Sequence, residues 1–240
     1  MSKETVYHAI VLKKQPLNEA DEIVTFFTQE AGKIRGLAKS VKLSKSKLQH
    51  SLQSLFFLQV TLAGSRQAGL KKIIKTRILE TFPHIRENLQ STKVIFYALE
   101  LLLKGTADEH KNPKLFQLFL DFLSFCNEDG LQKDLIEMAL LKFKTDFLES
   151  IGLAIRQPKE TLNQKLFFSN FKGGFVFGSQ AVDAVPVDRE AYLLFKSLKN
   201  KEFTRLPAGN PKHLQKLITK FLEYQLEREI KAKHYLNEGM

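Results

Sequence analysis

Residues 5–38, TVYHAIVLKKQPLNEADEIVTFFTQEAGKIRGLA, decide the fold of the N-terminal part of the chain. They contain three short runs rich in Val, Ile, Phe and Thr, at 5–13, 22–28 and 33–38, and such runs predict β-strands. Two further runs follow at 55–62 and 70–79. Five short strands with a long polar connection before the fourth predict a small closed barrel, and the OB-fold is the natural candidate.

The second part of the chain has a different apolar period. From about residue 82 the period changes from 2 to about 3.6 residues, which predicts helices. An irregular stretch at 152–186 interrupts the helical pattern. The predicted fold class is therefore α+β, with a five-stranded OB-fold β-barrel at 1–80 followed by an α-helical domain at 81–240 that carries a small irregular insert.

Positive charge is concentrated in the first third of the chain. Residues 1–80 carry 14 Lys or Arg and 6 Asp or Glu, a net charge of +8, whereas the remaining residues carry 23 and 20, a net charge of +3. Between 31 and 79 there are eleven basic residues and no acidic one. A polyanion relieves such self-repulsion, so a phosphate backbone is the expected partner. An anionic membrane is the weaker alternative, because the basic segment lacks the apolar helical stripe of an interfacial anchor.

Nine of these basic residues form the predicted DNA-binding set. The run KSVKLSKSK at 39–47 suits a loop that follows phosphates, and 71–77 place further cations on the last strand. The set is Lys33, Arg35, Lys39, Lys42, Lys45, Lys47, Lys71, Lys72 and Lys75. These side chains are expected outside the core, and the alternative is a solvated lysine-rich surface. Of Phe56 and Phe57, one is expected either to be an exposed stacking platform or to pack under the next domain.

Motifs of enzyme chemistry are missing from the sequence. There is no phosphate-binding lysine loop, no GxSxG, no HExxH and no CxxC, and the six histidines lack metal-ligand spacing. The single cysteine, Cys126, lies in an apolar run and is expected to be buried. The chain is therefore expected not to be an enzyme and to need no cofactor. Because no apolar leader is apparent at the N-terminus, a cytoplasmic location is expected.

Several segments resemble the RecO family of bacterial recombination mediators. They are EADEIV at 19–24, Gly-Lys at 32–33 with Ala-Lys at 38–39, the basic loop at 42–47, and LEYQLEREIKAKHYL at 222–236. The resemblance implies an OB-fold, a helical domain and a nucleoid-associated DNA repair protein of homologous recombination. Such proteins bind single- and double-stranded DNA, anneal complementary strands and, with RecR, help to load RecA onto DNA covered by single-strand-binding protein (SSB). The acidic, apolar tail of SSB would suit an apolar groove rimmed by Lys or Arg in the helical domain.

The chain departs from the family at its zinc site. Many members hold zinc with four cysteines around the insert, whereas Phe177 and Gln180 stand here at two of those positions. With one cysteine a four-thiolate site cannot form, so no zinc is expected. Packing of aromatic side chains is expected to hold the insert instead. The aromatic residues expected to pack are Phe167, Phe168, Phe171, Phe175 and Phe177.

Two other functions fit the same basic barrel. A sequence-independent RNA-binding OB-fold protein would prefer RNA to DNA. A non-catalytic scaffold whose basic face binds acidic protein segments would bind DNA weakly and the acidic partner more tightly. A nucleotide-driven enzyme is a more distant alternative, which ATP hydrolysis would reveal.

Overall fold

The structure, a computed structural model, describes residues 4–42, 46–64, 70–158, 164–178, 181–199 and 201–237, without the side chains of Lys47 and Asn237. The strands are β1 (Glu4–Pro16), β2 (Glu22–Thr28), β3 (Gly32–Ala38), β4 (Phe57–Ala63), β5 (Lys71–Glu80), β6 (Leu166–Ser169), β7 (Gly174–Phe177) and β8 (Val185–Pro186). The helices are α1 (Lys47–Ser51), α2 (His84–Glu87), α3 (Leu89–Gly105), α4 (Pro113–Cys126), α5 (Lys133–Ser150), α6 (Arg189–Leu198), α7 (Lys212–Leu226) and α8 (Lys233–Asn237). The chain divides into two compact units, Met1–Pro83 with Thr106–Gln117, and His84–Gly105 with Leu118–Met240.

The first unit contains a closed barrel with strand order β1-β2-β3-β5-β4. Strands β3 and β5 are parallel, and the other neighbours are antiparallel. Strand β1 pairs with β4 through residues 4–10 and with β2 through residues 9–16. A bulge after Val11 bends β1 between its two partners, which allows the barrel to close. The predicted five-stranded OB-fold barrel is confirmed, and each strand begins and ends within three residues of its expected bounds.

Apolar side chains at alternate strand positions fill the barrel. Val24, Phe26, Val60 and Leu62 are fully buried, and Phe56 packs partly buried against the same core. Alternation sends every second side chain inward, so one face of each strand builds the core and the other meets its surroundings.

The outer face of the barrel also carries packed aromatic residues. The Phe57 ring lies 6.0 Å from the Phe116 ring of α4, and the Phe27 ring lies 5.9 Å from it. Phe116 belongs to the same unit as the barrel. Both Phe56 and Phe57 are therefore partly buried, and neither is an exposed stacking platform.

The second unit is helical and has an aromatic core. Phe122 of α4 and Phe143 of α5 stack with their centroids 4.7 Å apart, and Phe147 extends the cluster along α5. Cys126 is buried as expected, and burial raises the pKa of its thiol, so the residue is part of the core. No helix in the described part of the chain is long and apolar enough to cross a membrane.

The stretch expected to be irregular contains a small sheet with strand order β7-β6-β8. Phe168 and Phe175 meet edge to face at 5.1 Å, and Phe168 also contacts Phe221 of α7 at 5.6 Å. These contacts confirm the expected packing of Phe168 and Phe175. The expectation is wrong for Phe171, which is 73% exposed. Phe171 follows the end of β6 in the turn before β7, so it has no neighbouring strand to pack against. Phe167 and Phe177 are partly buried.

A carboxylate closes the turn that holds Phe171. Asp183 accepts a hydrogen bond from the Ser169 hydroxyl at 2.6 Å and one from the Phe171 backbone N–H at 2.9 Å. The Ser169 hydrogen bond is the main cause that holds the pKa of the Asp183 carboxyl below its usual value. One cysteine cannot supply a four-thiolate zinc site, and Gln180 lies outside the described residues. Within the described ranges no group of three or more His, Cys, Asp or Glu could hold a metal ion.

Candidate nucleic-acid interface

Three cations form one row on the outer face of β5. The β4 residues opposite Lys72, Lys75 and Arg77 are Ala63, Thr61 and Gln59, in that order. Directly opposed residues share a face, and the other face of β4 is buried in the barrel, so the three cations point outward together. Alternate strand residues are about 7 Å apart, so these three residues, the β5 row, span about 14 Å. All three are exposed, and within the described part of the chain none of them forms an ion pair.

A bulge creates the β5 row. Lys72 and Lys75 are three positions apart, and strict alternation would place them on opposite faces of the strand. The register shifts between Thr61 and Leu62, which leaves Ile74 unpaired and brings both lysines to the outer face. Arg77, which the predicted set omitted, then completes the row.

Lys71 does not belong to the row. It pairs with Gly36 of β3 and lies on the opposite face of β5 from Lys72. Its Nζ donates a hydrogen bond to the Tyr7 hydroxyl at 3.2 Å and lies 5.5 Å from the centroid of the Tyr7 ring. Tyr7 is part of the barrel core, so Lys71 covers one part of that core.

Lys33 departs from the expectation that the predicted cations lie outside the core, because it is only 8% exposed. Its Nζ donates a hydrogen bond to the Thr106 carbonyl at 2.7 Å and lies 3.4 Å from the Asp108 carboxylate. The Lys33 carbonyl in turn accepts a hydrogen bond from the Glu109 N–H. Lys33 therefore fastens the segment that follows α3 to the barrel, and its charge is used within the first unit.

Gly32 makes that attachment possible. Its φ is +71°, and a Cβ atom on Gly32 would lie 2.0 Å from the carbonyl oxygen of His110. Only glycine fits both the left-handed conformation and this approach. The Gly-Lys pair shared with the RecO pattern thus has a structural role in this chain, because it holds the segment after α3 against the barrel.

Arg35 lies on the outer face of β3. Its side chain is 60% exposed and lies 3.7 Å from the Asp108 carboxylate. Lys13 of β1 pairs with Thr25 of β2, which pairs with Arg35, so Lys13 shares this face. Lys13 is exposed and was missing from the predicted set, because in sequence it stands outside the long basic segment.

The turn after β3 begins the lysine loop. Lys39 and Lys42 are exposed, and the Lys42 Nζ donates a hydrogen bond to the Asn18 carbonyl at 2.9 Å. The Ser40 N–H donates to the Asp21 carboxylate at 2.7 Å, and this bond is the main cause that holds the pKa of Asp21 below its usual value. The Asp of the EADEIV motif therefore orders the start of the loop. Lys45 and the Lys47 side chain lie outside the described residues.

A groove of about 850 Å³ lies between α3, α5, α7 and α8 of the second unit. Three leucines, Leu89, Leu140 and Leu236, give it apolar surface, and Glu137 and Glu223 are its acidic residues. Seven lysines also line it: Lys93, Lys133, Lys144, Lys212, Lys216, Lys220 and Lys233. An apolar concave surface with an excess of positive charge suits a ligand that is both apolar and acidic.

One wall of the groove is a ladder of three lysines on α7. Lys212, Lys216 and Lys220 are exposed and recur every four residues, so neighbours are about 6 Å apart along the helix axis. Within the described ranges this ladder takes part in no ion pair. The run KHLQKLITK at 212–220 carries this pattern in the sequence, which by itself does not distinguish it from an ordinary solvated helix face.

Lys144 is the buried member of the lysines that line the groove. It is 1% exposed, and its Nζ donates hydrogen bonds to Gln215 Oε1 at 2.5 Å and to Thr219 Oγ1 at 2.9 Å. The Nζ also lies 4.3 Å from the centroid of the Tyr97 ring. Burial lowers the pKa of Lys144 to about 7, and the charge of Glu223 opposes this shift.

Family models cover almost the whole chain. The model described as recombination protein O N terminal matches residues 1–82, and the model described as recombination protein O C terminal matches residues 86–234. The chain belongs to the RecO family. The RecO family is one of DNA repair and recombination proteins, and the barrel and the helical unit each correspond to one of its two models.

Individual relatives agree with this assignment. A protein named DNA repair protein RecO from Dehalococcoides mccartyi (strain 195) is 28% identical over 243 residues, which cover 95% of this chain and 93% of the relative. One with the same name from Pelotomaculum thermopropionicum is 26% identical over 242 residues, 95% of this chain and 92% of the relative. The relative from D. mccartyi strain CBDB1 is 36% identical over 144 residues, so the chain matches about half (54%) of that protein's length.

Proposed function

We propose that this RecO-family protein acts in recombinational repair by binding single- and double-stranded DNA on the outer face of its barrel and annealing complementary strands. The observation that carries the proposal is the β5 row, three exposed cations on one face of an OB-fold barrel that form no ion pair with any described residue. Arg35, Lys39 and Lys42 extend the proposed surface, and Lys45 and Lys47 are predicted to join it from the loop. Lys33 is left out because it is buried, and Lys71 because it lies on the opposite face of β5 against Tyr7.

The proposed mechanism is electrostatic and needs no catalysis. Lysine and arginine neutralise phosphates without reading base edges, so binding is independent of sequence. Two strands drawn to one basic face repel each other less, and base pairing can then nucleate between them. The protein would act on the nucleoid in the cytoplasm, together with RecR, to help load RecA onto SSB-covered single strands.

We further propose that the groove of the helical unit binds the tail of SSB. That tail is acidic and apolar, and the groove offers leucine side chains beside the ladder of Lys212, Lys216 and Lys220. A nucleic-acid strand fits the groove less well, because its leucines offer no stacking surface for bases.

Binding of fluorescently labelled single-stranded DNA, double-stranded DNA and RNA of matched sequence and length tests the DNA part of this function. The expected result is DNA binding that weakens with salt and does not depend on sequence. Tighter binding of RNA than of DNA would favour the RNA-binding alternative, and weak binding of every nucleic acid with tight binding of an acidic peptide would favour the scaffold alternative.

A further inference from the structure

The hydrogen bonds around Lys144 distinguish its two protonation states. A neutral amine has two N–H donors, and Lys144 has two acceptors, Gln215 Oε1 and Thr219 Oγ1. A protonated amine has three donors. Among the described residues no oxygen or nitrogen accepts a hydrogen bond from the third N–H, which has only the face of the Tyr97 ring, 4.3 Å from the Nζ, as a neighbour until a ligand supplies an acceptor.

Both acceptors are fixed in that role. The side-chain amide of Gln215 donates to the Glu137 carbonyl at 2.6 Å, which turns Oε1 toward Lys144. The Thr219 hydroxyl donates to the Gln215 carbonyl at 2.7 Å, so its oxygen can only accept from Lys144. Without a bound ligand, these two acceptors therefore match the two N–H donors of a neutral amine.

Among the described residues, the charged groups around the groove do not supply a close anion to Lys144. On α7 the nearest negative charge is Glu223, whose carboxylate is 2.8 Å from the Lys233 Nζ of α8. On α5 the Glu137 carboxylate lies 3.9 Å from the Lys133 Nζ. Helix α3 contributes Lys93 and the Tyr97 ring, and its Glu100 carboxylate is engaged by Lys104 and by the backbone N–H groups of Lys231 and Ala232. A buried ammonium without a close anion is unstable, which agrees with the lowered pKa of Lys144.

We propose that Lys144 is the specificity-determining residue of the groove, and that a carboxylate side chain of the bound acidic peptide accepts the third N–H of Lys144 and so couples binding to uptake of one proton. This inference rests on the proposed binding of the SSB tail in the groove. The peptide carboxylate supplies a close anion, which no described residue of the groove does, and Lys144 then stays protonated at a pH where it would otherwise be neutral. An apolar peptide of the same length cannot do this, so the groove selects for acidic side chains.

Proton uptake makes the affinity depend on pH in a defined range. Above about pH 7 the free protein must first take up a proton, so affinity for the peptide falls by up to about tenfold for each further pH unit. The histidine of α8 is His234, and measurements between about pH 7 and pH 9 lie above the ordinary pKa of the histidine side chain, about 6.5.

The test uses the full chain and a labelled peptide with the sequence of the cognate SSB tail. Fluorescence anisotropy at several pH values gives the affinity, and calorimetry at about pH 8 in two buffers of different ionisation enthalpy gives the number of protons taken up. We expect close to one proton for the wild type. Lys144→Met should bind more weakly at pH 7 and show no pH dependence, whereas Lys144→Arg, which stays charged, should bind well with no pH dependence.

The outcomes separate this inference from the function on which it rests. Absence of peptide binding at every pH would overturn both. Binding by the wild type without proton uptake, or a pH dependence that persists in Lys144→Met, would overturn the role of Lys144 alone. Displacement of the peptide by single-stranded DNA in both the wild type and a variant of the β5 row would show that the groove binds nucleic acid, and would overturn the acidic peptide as its ligand. His234→Gln serves as a control and should keep the dependence above pH 7.

Discussion

Replacing Lys72, Lys75 and Arg77 with glutamine removes the three exposed cations of the β5 row without touching the barrel core. Each phosphate contact to a single strand contributes about 0.7 to the slope of log affinity against log salt. Loss of three contacts should therefore lower the slope by about 2, and at about 0.1 M salt it should weaken binding by about a hundredfold. Anisotropy titrations of a labelled single strand at four or five salt concentrations measure both quantities.

The ladder on α7 provides a matched control, since Lys212, Lys216 and Lys220 are also three exposed lysines on one face. The triple glutamine variant of the ladder should leave the salt slope unchanged and weaken binding of the SSB-tail peptide instead. An unchanged slope in the β5 variant, or an equal fall in both variants, would refute the assignment of DNA binding to the β5 row.

Three further predictions concern stability, each measured by urea denaturation. Gly32→Ala should lower the free energy of unfolding by more than about 2 kcal/mol, because the new Cβ clashes with the His110 backbone in addition to the strain of a left-handed conformation. Gly130→Ala has the same strain but open space around the Cβ, so it should lower the free energy of unfolding by about 1 kcal/mol. Equal losses would contradict the close approach at Gly32. Phe168→Ala should cost about 3–5 kcal/mol and the exposed Phe171→Ala less than about 0.5 kcal/mol, and the reverse order would contradict the packing of the insert. Lys144 has a folded pKa of about 7 against an ordinary 10.5, so between these values the unfolded state binds more protons and stability rises with pH. The free energy of unfolding of the wild type minus that of Lys144→Met should therefore increase by up to about 1.4 kcal/mol per pH unit from pH 7 to pH 10. A difference that stays constant over this range would contradict the lowered pKa of Lys144.

The barrel was predictable because its signal is local. Alternation of apolar residues and the breakers between runs place all five strands, and the charge of the first third predicts its partner class. The distribution of that charge was not predictable, because burial of Lys33 depends on Asp108 and Thr106, which lie more than 70 residues further along the chain. The bulge at Ile74 likewise changes which lysines share a face, and no residue type in the sequence marks it.

The groove illustrates a different limit of sequence reasoning. The spacing of the ladder on α7 is visible in sequence as lysines at every fourth position. The functional significance of the ladder depends on α3, α5 and α8, which place the leucines and Lys144 beside it. A regular charged face is usually a solvated one, so the pattern alone gave no reason to single it out.

Annealing of complementary strands, bare and coated with the cognate SSB, tests the central claim most directly when the wild type is compared with the two triple glutamine variants. The account predicts that the wild type accelerates annealing of both substrates, that the β5 variant accelerates neither, and that the ladder variant accelerates bare strands but loses its effect on coated ones. Normal annealing of bare strands by a folded β5 variant would contradict the claim that this face of the barrel carries the function.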